Sequence, residues 1–162
     1  MRSFVLFGAV LLAGCGQEAP KEAAKPVPAT LPAGQYEVTT TLTTMASTDK
    51  TPLPTFAKQG DKRTYTSCGS DDLKPTGETA DVCTQQSPYI RNGRMNVQLS
   101  CNRPGKGTVT ADFSGSYTAD GFKGTITSNS SFSGPGDYRL VEEVTARKVA
   151  DQCTAPAAAP KA

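Results

Sequence analysis

Polar and apolar residues alternate with a period of two along most of this chain. Tyr36, Val38, Thr40 and Leu42 alternate with Glu37, Thr39, Thr41 and Thr43, and Met95, Val97, Leu99 and Cys101 alternate with Asn96, Gln98, Ser100 and Asn102. Val109, Ala111 and Phe113 repeat the pattern, Phe122, Ile126 and Phe132 mark a further run, and the last run extends from Tyr138 to about Val149. A strand points successive side chains to opposite faces, so each run reads as a strand with one buried face, and its β-branched residues favour the same reading. Asn92-Gly93, Asp120-Gly121 and Gly134-Pro135-Gly136-Asp137 punctuate the runs with residues suited to tight turns. Several runs exceed the usual strand of ~5–6 residues. Long antiparallel strands tend to coil and close, because closure removes exposed edges. The expected fold is therefore all-β: an antiparallel meander forming a small lipocalin-like barrel or a strongly curved sheet, with a β-sandwich as the alternative. Only 52–59 and 77–81 leave room for a short helical turn.

The two ends of the chain break the pattern. One positive charge at Arg2 and an apolar run from Phe4 to Leu12 precede Leu12-Ala13-Gly14-Cys15. That run is too short to cross a bilayer as a helix, which takes roughly 20 apolar residues, and it reads as a secretory signal over 1–14. Leu-Ala-Gly-Cys resembles the lipobox of bacterial lipoproteins, which implies that Cys15 carries the acyl chains and begins the mature chain. Gly16, where retention in the inner membrane calls for an Asp, implies an outer-membrane lipoprotein facing the periplasm. Residues 15–33 contain Pro20, Pro26, Pro28 and Pro32 among Ala, Lys and Glu, and form a Pro/Ala-rich tether. Residues 154–162 share that character and form a tail. The domain is expected over 34–153.

Composition narrows the chemistry. The 162 residues hold no His and no Trp. Without His there is no Ser-His or Cys-His pair, and the commonest metal ligand is missing. Thirteen Lys and Arg face thirteen Asp and Glu between Leu31 and Cys153, so the domain is neutral and no nucleic-acid footprint is present. No catalytic residue, cofactor or metal is expected, and the chain reads as a non-enzymatic protein.

Four cysteines remain beside Cys15: Cys68, Cys83, Cys101 and Cys153. An even number in an oxidising compartment reads as two disulfides, which suits a domain with a modest core. A four-thiolate zinc site lacks any Cys-x-x-Cys spacing. If Arg91-Asn92-Gly93 forms a three-residue loop, Tyr89 faces Met95 and Cys83 falls opposite Cys101, leaving Cys68 with Cys153. The pairing of Cys68 with Cys83 and Cys101 with Cys153 stays open on spacing alone.

Gly34-Gln35-Tyr36-Glu37-Val38-Thr39-Thr40 resembles the Gly-x-Trp-Glu-Val-Thr-Thr opening of a bacterial domain-of-unknown-function family, number thirty-six-seventeen. The resemblance continues through Cys68, Cys83, Leu99-Ser100-Cys101 and Ala150-Asp151-Gln152-Cys153, with Tyr36 where Trp is common and an extra Gln152. It implies a secreted or lipid-anchored protein of Gram-negative bacteria, and it implies no activity, substrate or catalytic residue.

Two functions follow as expectations. An envelope interaction or structural protein, held to the membrane by its acyl anchor, needs a filled interior and an exposed apolar or aromatic patch. A carrier of a small apolar ligand needs a cavity of ~300 Å³ or more. Tyr36, Tyr89, Phe113, Tyr117, Phe122 and Phe132 are the candidate lining for such a cavity, although aromatics at this period also make plain core. Glu142 falls on the same face as Tyr138, Leu140, Val144 and Ala146. It either lines an internal cavity or is turned outward by a β-bulge at Glu142-Glu143.

Overall fold

The structure, a computed structural model, describes residues 26–78 and 82–154. Seven strands form one antiparallel sheet: β1 (Gln35–Ser47), β2 (Lys62–Cys68), β3 (Cys83–Arg91), β4 (Arg94–Arg103), β5 (Gly107–Tyr117), β6 (Gly121–Phe132) and β7 (Tyr138–Ala150). Their order across the sheet is β2-β1-β7-β6-β5-β4-β3. Most strands put alternate residues on one buried face, where Tyr36, Val38, Leu42, Met95, Val97, Leu99, Val109, Phe113, Ile126, Leu140 and Val144 make a single core. The segment 52–59 forms bends and a turn without a helix, and part of 77–81 lies outside the described residues.

The sheet is strongly curved and does not close into the lipocalin-like barrel. β2 and β3 are its two edges and share no ladder. The connection between them explains why. β2 ends at the end of the molecule where the chain enters β1 (the tether end), whereas β3 begins at the opposite, far end. The connecting segment must therefore run the height of the molecule, and it does so along the gap. Leu73 is buried there, Ser70 accepts a hydrogen bond from Gln85 of β3, and Thr76 reaches Glu142 on β7. Side chains and backbone of this segment occupy the place that a β2–β3 pairing would take.

Curvature has a local source in two glycines. Gly115 of β5 and Gly124 of β6 face each other across the ladder, and the Phe113 ring lies over both. A Cβ on either glycine would stand 2.8 Å from Phe113 Cζ and collide with the partner strand's backbone. Only residues without a side chain let the strands coil this tightly at that point.

Contacts with the domain begin before residue 34. The Tyr117 hydroxyl donates to the carbonyls of Ala29 (2.9 Å) and Pro28 (3.2 Å), Asn92 N–H donates to Ala29, and the Tyr36 hydroxyl donates to Pro32 at 2.6 Å. The last residues of the expected 15–33 tether are thus fastened across the tether end of the sheet.

Candidate functional site

The hairpin between β3 and β4 places the first disulfide by a route different from the expected one. Asn92 and Gly93 form a two-residue turn, both with positive φ (50° and 79°), and Arg91 faces Arg94. Two-residue hairpin turns need that backbone, which Asn-Gly supplies at low cost. A three-residue loop is therefore not present, and Tyr89 faces Asn96 instead of Met95. A bulge between Gln86 and Tyr89, with Ser87 at φ 37°, then restores the register one residue later. Cys83 lands opposite Cys101 after all, and the two are joined. Cys68 is joined to Cys153, a bond that spans β1 from the end of β2 to the residues following β7.

The two-residue turn removes Tyr89 from the candidate cavity lining. It stands on the outer face, 49% exposed. Tyr36, Phe113, Tyr117 and Phe122 are buried, and Phe132 is half-buried. These rings pack on one another: Tyr36 against Phe122 with centroids 5.5 Å apart, Phe113 edge-on to Phe122 at 5.8 Å, and Phe132 edge-on to Tyr138 at 5.9 Å. Such separations are those of directly packed aromatic pairs. The rings fill the interior by meeting each other.

Glu142 points inward, and β7 keeps its alternation through Glu143. The irregularity lies in the partner strand instead, between Leu42 and Thr44 of β1. There the extra Thr43 turns its hydroxyl to the Val141 carbonyl at 2.9 Å. The Glu142 carboxylate has no exposed surface and is completely engaged. Arg63 of β2 donates to it at 3.0 Å, and Thr76 donates through its amide (2.9 Å) and its hydroxyl (2.7 Å). Arg63 also donates to the Lys74 carbonyl, and Lys74 N–H donates to the Tyr65 hydroxyl. A buried carboxylate must be paired and hydrogen-bonded, and this one is satisfied by β2 and by the segment that fills the gap.

A second buried carboxylate, Glu78, closes the far end of the same segment. Its partner Arg103 at the end of β4 donates from Nε at 3.1 Å and from Nη2, and the Tyr138 hydroxyl donates to it at 3.3 Å. The Glu78 hydrogen bond raises Arg103 above its ordinary value. Burial pushes the Tyr138 phenol up to about 12, and burial raises Tyr36 and Tyr65 as well. Arg103 also stacks on the Phe132 ring, 5.5 Å from its centroid. Glu142 is sealed from solvent, Glu78 lines a cleft beside Phe56, and each latches the 69–78 segment to the sheet.

Sequence reasoning singled out Glu142 but missed Arg63, Thr76, Glu78 and Arg103. No local signal marks them, because their partners lie between 25 and 79 residues away. Cys15 lies outside the described residues.

An open antiparallel sheet, filled along its gap and stapled by two disulfides, is thus the class of domain that the fold and these side chains define. Residues 26–159 match the family described as "Protein of unknown function (DUF3617)". The chain belongs to this family. No curated protein and no solved structure matches it.

Proposed function

We propose that the chain is a non-enzymatic lipoprotein of the bacterial envelope, anchored to the outer membrane through Cys15 and acting through its surface. The observation that carries this reading is the mutual packing of Tyr36, Phe113 and Phe122, the residues that a carrier would need to line its cavity. The two buried carboxylates support the non-enzymatic part, since Arg63 and Arg103 commit both to holding the fold. Leu12-Ala13-Gly14-Cys15 supports the anchor. Several acyl chains on one residue hold a protein to a bilayer stably, where a single chain does so only marginally.

Expression in a Gram-negative host with radiolabelled palmitate tests the anchor. The wild-type chain is expected to take up label and sediment with the outer membrane, and Cys15→Ala to take up none. A labelled Cys15→Ala chain, or an unlabelled wild type found in the soluble periplasm, contradicts the reading.

A further inference from the structure

The far end of the molecule, opposite the point where 26–34 meets the sheet, is built from the 48–61, 104–106 and 133–137 connections. Two large apolar side chains project there from the first of these: Leu53 (47% exposed), between Pro52 and Pro54, and Phe56 (45% exposed), whose other side rests on Tyr138. A cleft of about 430 Å³ runs beside Phe56, lined by Gly77, Glu78, Val82, Arg103, Pro104 and Lys106.

Among the described residues the carboxylates at this end accept from backbone amides or from arginine, and of them Asp61 is exposed. Asp49 accepts from Gly136 N–H (2.6 Å), Asp137 N–H (3.0 Å) and Thr51 N–H (3.0 Å). Asp61 accepts from Lys58 N–H, Asp137 from Phe132 N–H, and Glu78 is held by Arg103. The cations turn outward. Lys50, Lys58 and Lys106 are exposed, and among the described residues none of the three forms an ion pair. The domain is neutral as a whole, yet this end offers unpaired ammonium groups around two protruding apolar side chains.

We infer that the far end is a docking surface for an anionic lipid bilayer. Leu53 and Phe56 would enter the headgroup boundary while the lysines, on long apolar stems, stay at the level of the phosphates. An acidic polypeptide is the competing occupant; the cleft places Arg103 and Lys106 beside Glu78 and does not decide against it, whereas the protruding Leu53 and Phe56 suit a bilayer. A bilayer touches only the rim, where the lysines and the two apolar side chains stand. The inference does not depend on acylation of Cys15.

The absence of tryptophan from the chain gives a clean test. A full chain carrying Leu53→Trp reports only on the far end, and one carrying Ser114→Trp reports on the exposed middle of β5. With vesicles of phosphatidylglycerol and phosphatidylcholine, the emission of the Leu53→Trp chain is expected to shift to the blue and to return in 0.5 M salt, since salt at that level shortens screening to well under ~10 Å. With pure phosphatidylcholine, or with soluble polyglutamate, no shift is expected. Adding Lys58→Glu and Lys106→Glu should abolish the shift while leaving the vesicle-free spectrum unchanged. An unmoved emission from the Leu53→Trp chain, an equal shift on neutral vesicles, an equal shift at Ser114→Trp, or a shift with polyglutamate alone would each overturn the inference.

Discussion

Glu142 and Arg63 stand 79 residues apart in the chain and meet as an ion pair in which the carboxylate is fully buried and the arginine side chain keeps 34% of its surface accessible. The inequality decides how each partner responds to loss of the other. Arg63→Met strands a buried charge with only Thr76 to hold it, and is expected to cost about 3 kcal/mol. Glu142→Gln keeps an acceptor for Thr76 and leaves Arg63 free to turn toward water, so a cost of about 1 kcal/mol is expected. Urea unfolding of the two variants measures the difference; equal losses would contradict the asymmetry.

How much of this was legible in the sequence follows from which residues face inward. β1, β4, β5 and β7 carry apolar side chains on their buried faces and declare themselves by period. β2 does not, because its inward residues are Arg63, Tyr65 and Ser67, polar groups that meet the gap-filling segment. β3 hides its pattern behind the bulge at Ser87, and the two-residue turn sends Tyr89 outward. The two illegible strands are the two edges, and so the period alone left the closed barrel and the open curved sheet both standing. In the same way the sequence exposed Glu142 as a carboxylate on an apolar face, but its partners are set by tertiary packing.

The buried phenol of Tyr138 links stability to alkaline pH. Its folded value is pushed up to about 12 from an ordinary 10. The folded state thus holds the proton more tightly than the unfolded chain does. The associated stability is complete below pH ~10 and is lost as the pH rises toward about 12, a total on the order of 2–3 kcal/mol. Tyr138→Phe should be about 1 kcal/mol less stable at neutral pH, through the lost hydrogen bond to Glu78. Between pH 10 and 12 it should then lose stability less steeply than the parent. Denaturant midpoints measured across that window check the slopes, and identical slopes would refute the assignment.

The Gly115–Gly124 pair makes a coupled prediction. Gly124→Ala places a methyl group against Phe113 and the β5 backbone, and should cost about 1–3 kcal/mol by overpacking. Phe113→Leu in the same chain removes the ring but not the backbone collision, so part of the loss should return. A double-mutant cycle with no coupling energy would show that the ring does not lie over the glycines.

The two disulfides close loops of different length, with sequence separations of 85 for Cys68–Cys153 and 18 for Cys83–Cys101. Chain entropy assigns about 4.6 kcal/mol to the longer loop and about 3 kcal/mol to the shorter. Replacing Cys68 and Cys153 by Ser should accordingly lower the thermal midpoint more than replacing Cys83 and Cys101. The reverse order would count against the entropic account of these bridges.

The central claim, that this domain works through its surface because its interior is already filled by its own rings, is tested most directly by native mass spectrometry of the chain purified from the envelope. The account predicts a folded mass equal to that of the polypeptide and its covalent acyl groups. A stoichiometric apolar passenger, present in the folded ion and released on unfolding, would contradict it.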